Sequence, residues 1–405
     1  MAGVKPKVNG EIKRGRGGRR ARRKILPRIA ATAALGVLFL AAAVAASTTV
    51  AAPTTTAVTP AAPTTSAGGS SRYFNPYTPT SGAANKTPTN PTDPPGQWEV
   101  YPSPTTVTLY AVDFVDANNG WAVGHDLSYV KGVILRYQSG TWSVFYQDTT
   151  HAFQDIDMVS ANDGWLVCFD LYADEAEIWH WDGSNWTVFQ KPGGTLYCID
   201  MIDPNHGWIG DNPAFFRFNG SSWVTDGSAP DTVFDIQMNS DTDGRAAGFH
   251  SIMRRTGTAW AQEANDSTWN LGHLFVVDNS TAWAGGQYLT TSRGLILKYN
   301  GTWTVNKIFA DIRMIYPIWA FVDGTAWTSG YRNTSPPWGG ALLYFDKTEW
   351  VEVTNPDPNQ NEMHAFYFFD KETGWAVGRG GVILKYKPNI DIKYASLGEI
   401  KALYR

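Results

Sequence analysis

The sequence predicts an all-β protein: a seven-bladed β-propeller of four-stranded antiparallel blades, closed by an N-terminal strand near Trp98 that completes the last blade. Three observations predict it. A Gly-Trp element recurs at Gly120-Trp121, Gly164-Trp165, Gly207-Trp208, Gly244-Arg245, Ala282-Trp283, Ala326-Trp327 and Gly374-Trp375, at intervals of 37 to 48 residues. A period near 40 marks a solenoid, a propeller or an array. Each unit holds four short strand-like pieces, which is the content of a propeller blade.

The third observation concerns the ends. A second Trp, followed two residues on by Val or a similar residue, marks the fourth strand at Trp142, Trp186, Trp223, Trp260, Trp303 and Trp350. That is six copies for seven Gly-Trp elements. The last unit reaches Gly381-Val382-Ile383-Leu384-Lys385-Tyr386 without one, and the missing copy lies at the front, in Gly96-Gln97-Trp98-Glu99-Val100. An N-terminal strand that completes the final blade buries two otherwise exposed sheet edges. A solenoid needs capping repeats and does not split one repeat between its termini.

Taken in order, residues 1–28 form a basic region, dense in charge from Lys13 to Lys24. Residues 29–46 follow as an uncharged run rich in Ala, Leu and Val. A positive segment, an apolar segment and small residues after it read as an export signal. Eighteen apolar residues also just span a bilayer, so an uncleaved signal anchor competes with cleavage. Either way the remainder is expected outside the cytoplasm, secreted or anchored to the plasma membrane. Residues 47–96 are dominated by Thr, Pro, Ala, Ser and Gly and read as a disordered stalk.

The propeller is expected over 97–388. In its first unit the strands are Leu109–Val115, Trp121–Gly124, Gly132–Tyr137 and Thr141–Phe145. Turns such as Ala161-Asn162-Asp163-Gly164 and Gln138-Ser139-Gly140 separate them, because Asn, Asp and Gly tolerate the positive φ of tight hairpins. The repeat tryptophans are read as packing between neighbouring blades, each burying roughly 150–250 Å², not as a carbohydrate-stacking ladder. Residues 389–405 are a tail without a clear element.

Composition narrows the function classes. A net charge of −4 and 17% charged residues give no reason to expect nucleic-acid binding. Two cysteines, Cys168 and Cys198, make neither a disulfide framework nor a zinc site; two buried thiols are expected, with pairing as the alternative.

At the Gly-Trp elements the chain resembles the BNR/Asp-box and photosystem II assembly/stability factor-like propellers. Gly120-Trp121-Ala122-Val123-Gly124 and Gly374-Trp375-Ala376-Val377-Gly378 carry the resemblance best, which spans about residues 97–387. The Asp-box is met only in part: Trp181-Asp182-Gly183-Ser184-Asn185-Trp186 and Tyr299-Asn300-Gly301-Thr302-Trp303 keep its turn and Trp but lack its opening Ser or Thr. The resemblance implies an exported propeller. It carries function weakly, because propellers host unrelated activities.

Binding groups are expected where the repeats stop agreeing, in the longer connections between second and third strands and between units. These include His125–Lys131, Phe169–Ala176, Gln287–Arg293, Tyr331–Gly340, Asn265–His273, Lys307–Pro317 and Asn355–His364. The candidate ligand-binding residues are Asp170, Asp174, Glu175, Arg293, Tyr331, Arg332, Trp338 and Arg379. The acidic loop Asp170–Glu177 has oxygen ligands for Ca²⁺ but no EF-hand order, so it is read as a solvated loop. His151, His273 and His364 fall near the starts of first strands on separate blades, which argues against a shared metal. Arg136, Arg217, Arg254, Lys298 and Lys385 occupy equivalent third-strand places, as a basic stripe or as charges capping strand edges.

Asp-box propellers include sialidases, which clamp a substrate carboxylate with three arginines. Arg293, Arg332 and Arg379 would be the candidates, but no Tyr/Glu pair can be assigned beside them. No catalytic residue, metal or cofactor is therefore expected. The favoured function is a monomeric, non-catalytic binding head for a protein or glycan, held at the membrane by the N-terminal segment if that is uncleaved. The alternatives are a sialidase-like glycoside hydrolase or lyase, and an assembly factor for a membrane protein complex.

Overall fold

The structure, a computed structural model, describes residues 94–126, 131–332 and 339–388. The basic region, the signal or anchor, nearly all of the stalk and the tail lie outside these residues, as does Trp338. Among the described residues no helix is long and apolar enough to cross a membrane.

The chain begins with β1 (Gly96–Tyr101) and then runs through β2 (Leu109–Asp116), β3 (Asn119–Asp126), β4 (Lys131–Gln138) and β5 (Thr141–Asp148). The next sheet is β6 (His151–Ser160), β7 (Asp163–Asp170), β8 (Glu175–Trp181) and β9 (Trp186–Gln190). A third follows as β10 (Cys198–Asp203), β11 (His206–Gly210), β12 (Ala214–Phe218) and β13 (Trp223–Ser228). Then come β14 (Val233–Ser240), β15 (Asp243–Thr256), β16 (Ala259–Asp278), β17 (Thr281–Tyr288), β18 (Arg293–Tyr299) and β19 (Trp303–Ile308). The last two sheets use β20 (Met314–Ala320), β21 (Ala326–Arg332), β22 (Gly339–Phe345), β23 (Trp350–Val353), β24 (Met363–Phe368), β25 (Gly374–Gly378) and β26 (Ile383–Pro388). All pairings are antiparallel, and all but that of β1 with β26 join consecutive strands. The ladders turn on residues suited to them: Ser139 (φ 45°) and Gly140 (φ 95°) make the β4–β5 hairpin.

The expected blade count is corrected. The described residues form six sheets, not seven four-stranded blades: five are four-stranded and one, β14-β15-β16-β17-β18-β19, has six strands. The fourth and fifth sequence repeats share that sheet. Its two inner members are long, 14 residues in β15 and 20 in β16. The stretch 265–273, expected as an irregular connection, instead lies within β16. Asn270 pairs with Phe249 on one side and Gln287 on the other, so the ladder never breaks between the two repeats.

The N-terminal strand lies beside β26, with Trp98 opposite Tyr386, and completes the sheet β1-β26-β25-β24. The inner strands β2, β6, β10, β14, β16, β20 and β24 pack each on the next, and β24 packs on β2. The ring is therefore closed and has a central channel.

The repeat tryptophans hold neighbouring parts of the ring together. Trp121 meets Trp186 at 5.6 Å, Trp165 meets Trp223 at 5.5 Å, Trp283 meets Trp350 at 5.9 Å, Trp327 meets Trp98 at 5.6 Å and Trp375 meets Trp142 at 5.8 Å. Every one of these is a fourth-strand Trp received by the Gly-Trp element one repeat earlier around the ring. Where the repeat has Arg245 instead, Glu263 bridges: it accepts from Arg245 Nε at 2.8 Å and from Trp303 Nε1 at 2.8 Å. The guanidinium also lies 4.2 Å from the Tyr299 ring centre.

The third-strand cations cap these rings. Arg136 lies over Trp121, Lys298 over Trp283 and Lys385 over Trp375, at 4.4 to 5.0 Å. Arg217 pairs with Asp226, and Arg254 with Asp243 and Glu263. They serve packing between sheets and are spread around the ring.

A second belt runs along the inner strands. The amides of Met158, Met201 and Met238 donate to carboxylates one repeat back, at Asp113, Asp157 and Asp200, and Val276 N–H donates to Gln237 Oε1 at 2.7 Å. Asp155 and Asp235 do the same for Ile199 and Leu274 at 2.8 and 2.7 Å. Buried hydrogen bonds of this kind fix the spacing of adjacent strands.

Candidate functional site

The starts of the inner strands gather a polar, aromatic cluster at one mouth of the channel. Tyr110 of β2 stacks on His125 of β3 at 4.4 Å and on His364 of β24 at 5.0 Å. Tyr316 of β20 packs on the other side of His364 at 4.7 Å and reaches His273 of β16 at 6.1 Å. Glu362, which enters β24, lies 3.7 Å from His364 Nε2 and 3.5 Å from the Arg379 guanidinium. At 3.7 Å the first is a charge contact and not a hydrogen bond.

Backbone packing fixes this acid. A Cβ at Gly340 would strike the backbone of Glu362, and one at Gly378 would strike its carbonyl oxygen. Arg379 N–H donates to that same carbonyl at 3.1 Å. Two glycines from neighbouring sheets thus admit Glu362 into a slot that a side chain would close.

His364 is the unsatisfied member. It is 8% exposed, and neither ring nitrogen has a hydrogen-bond partner among the described residues. A buried polar group left unpaired costs about 1–3 kcal/mol. His125, by contrast, has Nδ1 3.0 Å from the Phe153 carbonyl.

The electrostatics follow from enclosure. Burial, reinforced by Asp126 and Glu362, pushes the Tyr110 hydroxyl up to about 12, and burial pushes Tyr316 up as well. Burial lowers His125 to about 4, and burial with the nearby His364 lowers His273 to about 3. Burial opposes ionisation of Glu362, yet His364 and Arg379 hold it below the ordinary carboxylate range. Deeper along the inner strands, burial raises Asp235 to about 7 and, helped by the charge of Asp235, raises Asp155. The mouth thus offers two neutral tyrosines, the neutral His125 and His273, the unpaired His364, one carboxylate and one exposed guanidinium.

The residues singled out from sequence are placed apart. Arg379 joins the mouth cluster. Arg332 is held elsewhere, by Asp311 at 3.2 Å and by Glu352. It lines a cleft of about 330 Å³ with Lys307, Phe309, Asp311, Trp350 and Glu352. Tyr331 is half-buried beside it in β21, and Arg293 is exposed at the head of β18. Arg332 and Arg379 have different carboxylate partners, so no common clamp is formed.

Asp170 caps its own turn, accepting from Tyr172 and Ala173 N–H at 2.8 and 2.9 Å. Asp174 completes that turn with φ 59°, and Glu175 pairs with Lys191. The three histidines do not assemble as a set: His273 and His364 flank Tyr316, while His151 lies with Asp148, Asp170 and Glu177. Cys168 and Cys198 are buried free thiols.

Sequence reasoning missed Tyr110, His125, Tyr316 and Glu362. The usable signal was position: each sits at the same end of a first or second strand as His364 does, and polar or aromatic residues there point at the mouth.

No family model matches the chain, and no curated protein matches it; the Asp-box resemblance is not confirmed. Solved structures do match. The chain is similar to YCF48 bound to D1 peptide, with 18% identity and a TM-score of 0.56 over 72% of this chain and 97% of that one. It is similar to YCF48 from Cyanidioschyzon merolae, with 15% identity and a TM-score of 0.52 over 72% and 98%. It is also similar to a catalytically inactive virginiamycin B lyase from Staphylococcus aureus with quinupristin, with 13% identity and a TM-score of 0.56 over 72% and 99%. At these identities the likeness is one of fold, and together with the closed ring of meandering sheets it makes the chain a β-propeller.

Proposed function

We propose that this protein is a non-catalytic binding propeller that seats a peptide segment of a partner protein on the channel mouth. The observation that carries this is His364, buried between Tyr110 and Tyr316 with both ring nitrogens unpaired. A peptide amide or carbonyl supplies the missing hydrogen bond. The tyrosine rings give apolar area at low entropic cost, and Arg379 and Glu362 offer opposite charges to fix register. A YCF48 propeller of the same fold binds a D1 peptide, which supports a peptide over a glycan as occupant. An assembly factor that holds a segment of a membrane protein would use the same chemistry. Residues 13–46 support placing this head outside the cytoplasm.

The test is a peptide array and a glycan array probed with the purified protein. Peptides that bind should lose at least about tenfold in affinity with Tyr316→Ala or Arg379→Glu, since an interface anchor is worth 1–2 kcal/mol or more. Binding of glycans alone, or of peptides with unchanged affinity in both variants, would refute the assignment.

A further inference from the structure

Away from the channel mouth, three side chains on one face of the β6–β9 sheet converge on a point. His151 Nε2 lies 3.3 Å from Glu177 Oε2 and 4.0 Å from Asp170 Oδ2. Among the described residues these are the His, Cys, Asp and Glu side chains whose ligand atoms all fall within 4.8 Å of one another. The backbone imposes the grouping. His151 and Asp170 are cross-strand partners, and Glu177 is the partner of Cys168, two residues before Asp170. All three therefore point to the same side of the sheet.

The surroundings orient each group. Nδ1 of His151 is bonded to Asp148 of β5. With Nδ1 engaged there, the Nε2 side of the ring faces two carboxylate oxygens. Glu177, 2% exposed, has its Oε2 fixed by Trp179 Nε1–H at 2.7 Å and its other oxygen held by Lys191 at 2.6 Å. Asp148 is itself set by the Tyr146 hydroxyl at 2.9 Å. A histidine with a carboxylate behind its far nitrogen, and a ligating carboxylate that is itself hydrogen-bonded, is the supporting shell of a metal site.

We propose that His151, Asp170 and Glu177 bind a divalent transition-metal cation of the zinc type, with Asp148 as the positioning residue for His151. Metal–ligand lengths near 2.0–2.2 Å put tetrahedral ligand atoms about 3.3–3.5 Å apart. The His151–Glu177 separation already has that value, and the Asp170 separation exceeds it by a side-chain adjustment. One nitrogen and two oxygens suit zinc better than calcium, which takes six to eight oxygens. The fourth position faces solvent between Asp170 and His151, whose side chains keep 17% and 12% of their surface exposed. Through Asp148 the ion joins the β2–β5 sheet to the β6–β9 sheet on the side of the ring that carries the loops. The competing arrangement is an imidazolium at His151 paired with the same acids and no metal.

The full-length protein, stripped with EDTA and then titrated with zinc chloride in a calorimeter, separates the two. The expected result is one equivalent bound, with a visible ligand-field band when cobalt(II) replaces zinc. Asp170→Asn, nearly isosteric, and His151→Ala should each weaken binding at least about 100-fold, and Asp148→Asn about tenfold with the ligands intact. Circular dichroism identifies any variant that has not folded. No zinc uptake by the wild type, or equal affinity in folded Asp170→Asn and wild type, would overturn the site in favour of the ion pair.

Discussion

Replacing Trp98 by Ala should open the ring at its seam. The indole is 7% exposed and packs against Trp327, Phe366, Phe368 and Tyr386 at centroid distances of 4.9 to 5.6 Å. Truncating a buried Trp or Phe costs about 3–5 kcal/mol, from lost transfer energy and the cavity left behind. Collapse around the site is restricted here, because Trp327 and Tyr386 belong to sheets held in place by their own ladders. In the six-residue pairing of β1 with β26 the far end keeps Tyr101 on Trp375 at 4.8 Å, so the strand should fray from its Gly96 end. Trp98 Nε1 has no hydrogen-bond partner among the described residues, so Trp98→Phe forfeits only volume. We expect about 1 kcal/mol for that variant, as for an ordinary core change. The assay is urea denaturation with linear extrapolation, paired with amide exchange on β26. Trp98→Ala should lose at least about 3 kcal/mol and deprotect the β26 amides that face β1. A loss below about 1 kcal/mol, or unchanged β26 protection, would refute the claim that this strand closes the ring.

Other outcomes follow from the same structure. Asp235 sits at about 7 when folded, against about 3.9 in an unfolded chain. It holds a proton in the folded state between those values, so its contribution to stability is full below about pH 4 and is lost as pH rises to about 7. Asp235→Asn should flatten the wild-type profile of Tm against pH in that window; parallel profiles would contradict it, and His273 and His125 cancel in the comparison. Asp323 behaves oppositely: burial resists its charge, but Lys371 and Thr325 hold it down to about 2, so its contribution is lost as pH falls below about 4. Lys371→Met should reduce that acid sensitivity in a titration of stability between pH 5 and 2. Arg245→Ala removes the buried partner of Glu263, which keeps only Arg254 at 3.4 Å and the Trp303 indole N–H, and should cost about 3 kcal/mol by urea titration. The partly exposed Arg254→Ala should cost clearly less.

The legible and illegible parts of the fold differ in the kind of interaction that decides them. Trp121, Trp165 and their equivalents were readable as wedges because each recurs with its turn and partner strand, and a periodic apolar residue has few other uses. The surplus Trp98 was readable by counting. The merger of repeats four and five was not, because it rests on Asn270 bonding through its backbone to Phe249 and Gln287, and main-chain pairing leaves no mark on side-chain pattern. Arg332 looked like a ligand residue by position, yet Asp311 and Glu352, from a preceding connection and a later strand, hold it in an ion pair.

The sequence alone determined a ring of repeated antiparallel strands, its wedges and its closing strand, because local turn chemistry and a regular period act within each repeat. Only the tertiary structure decided that these strands make six sheets, and that His364 meets Tyr110, Tyr316 and Glu362 while His151 meets Asp148, Asp170 and Glu177. The physical reason is that such groupings depend on which strand ends arrive side by side once the ring has closed. Tyr110 and His364 are far apart in the chain, and they stack because β24 packs against β2 where the ring closes.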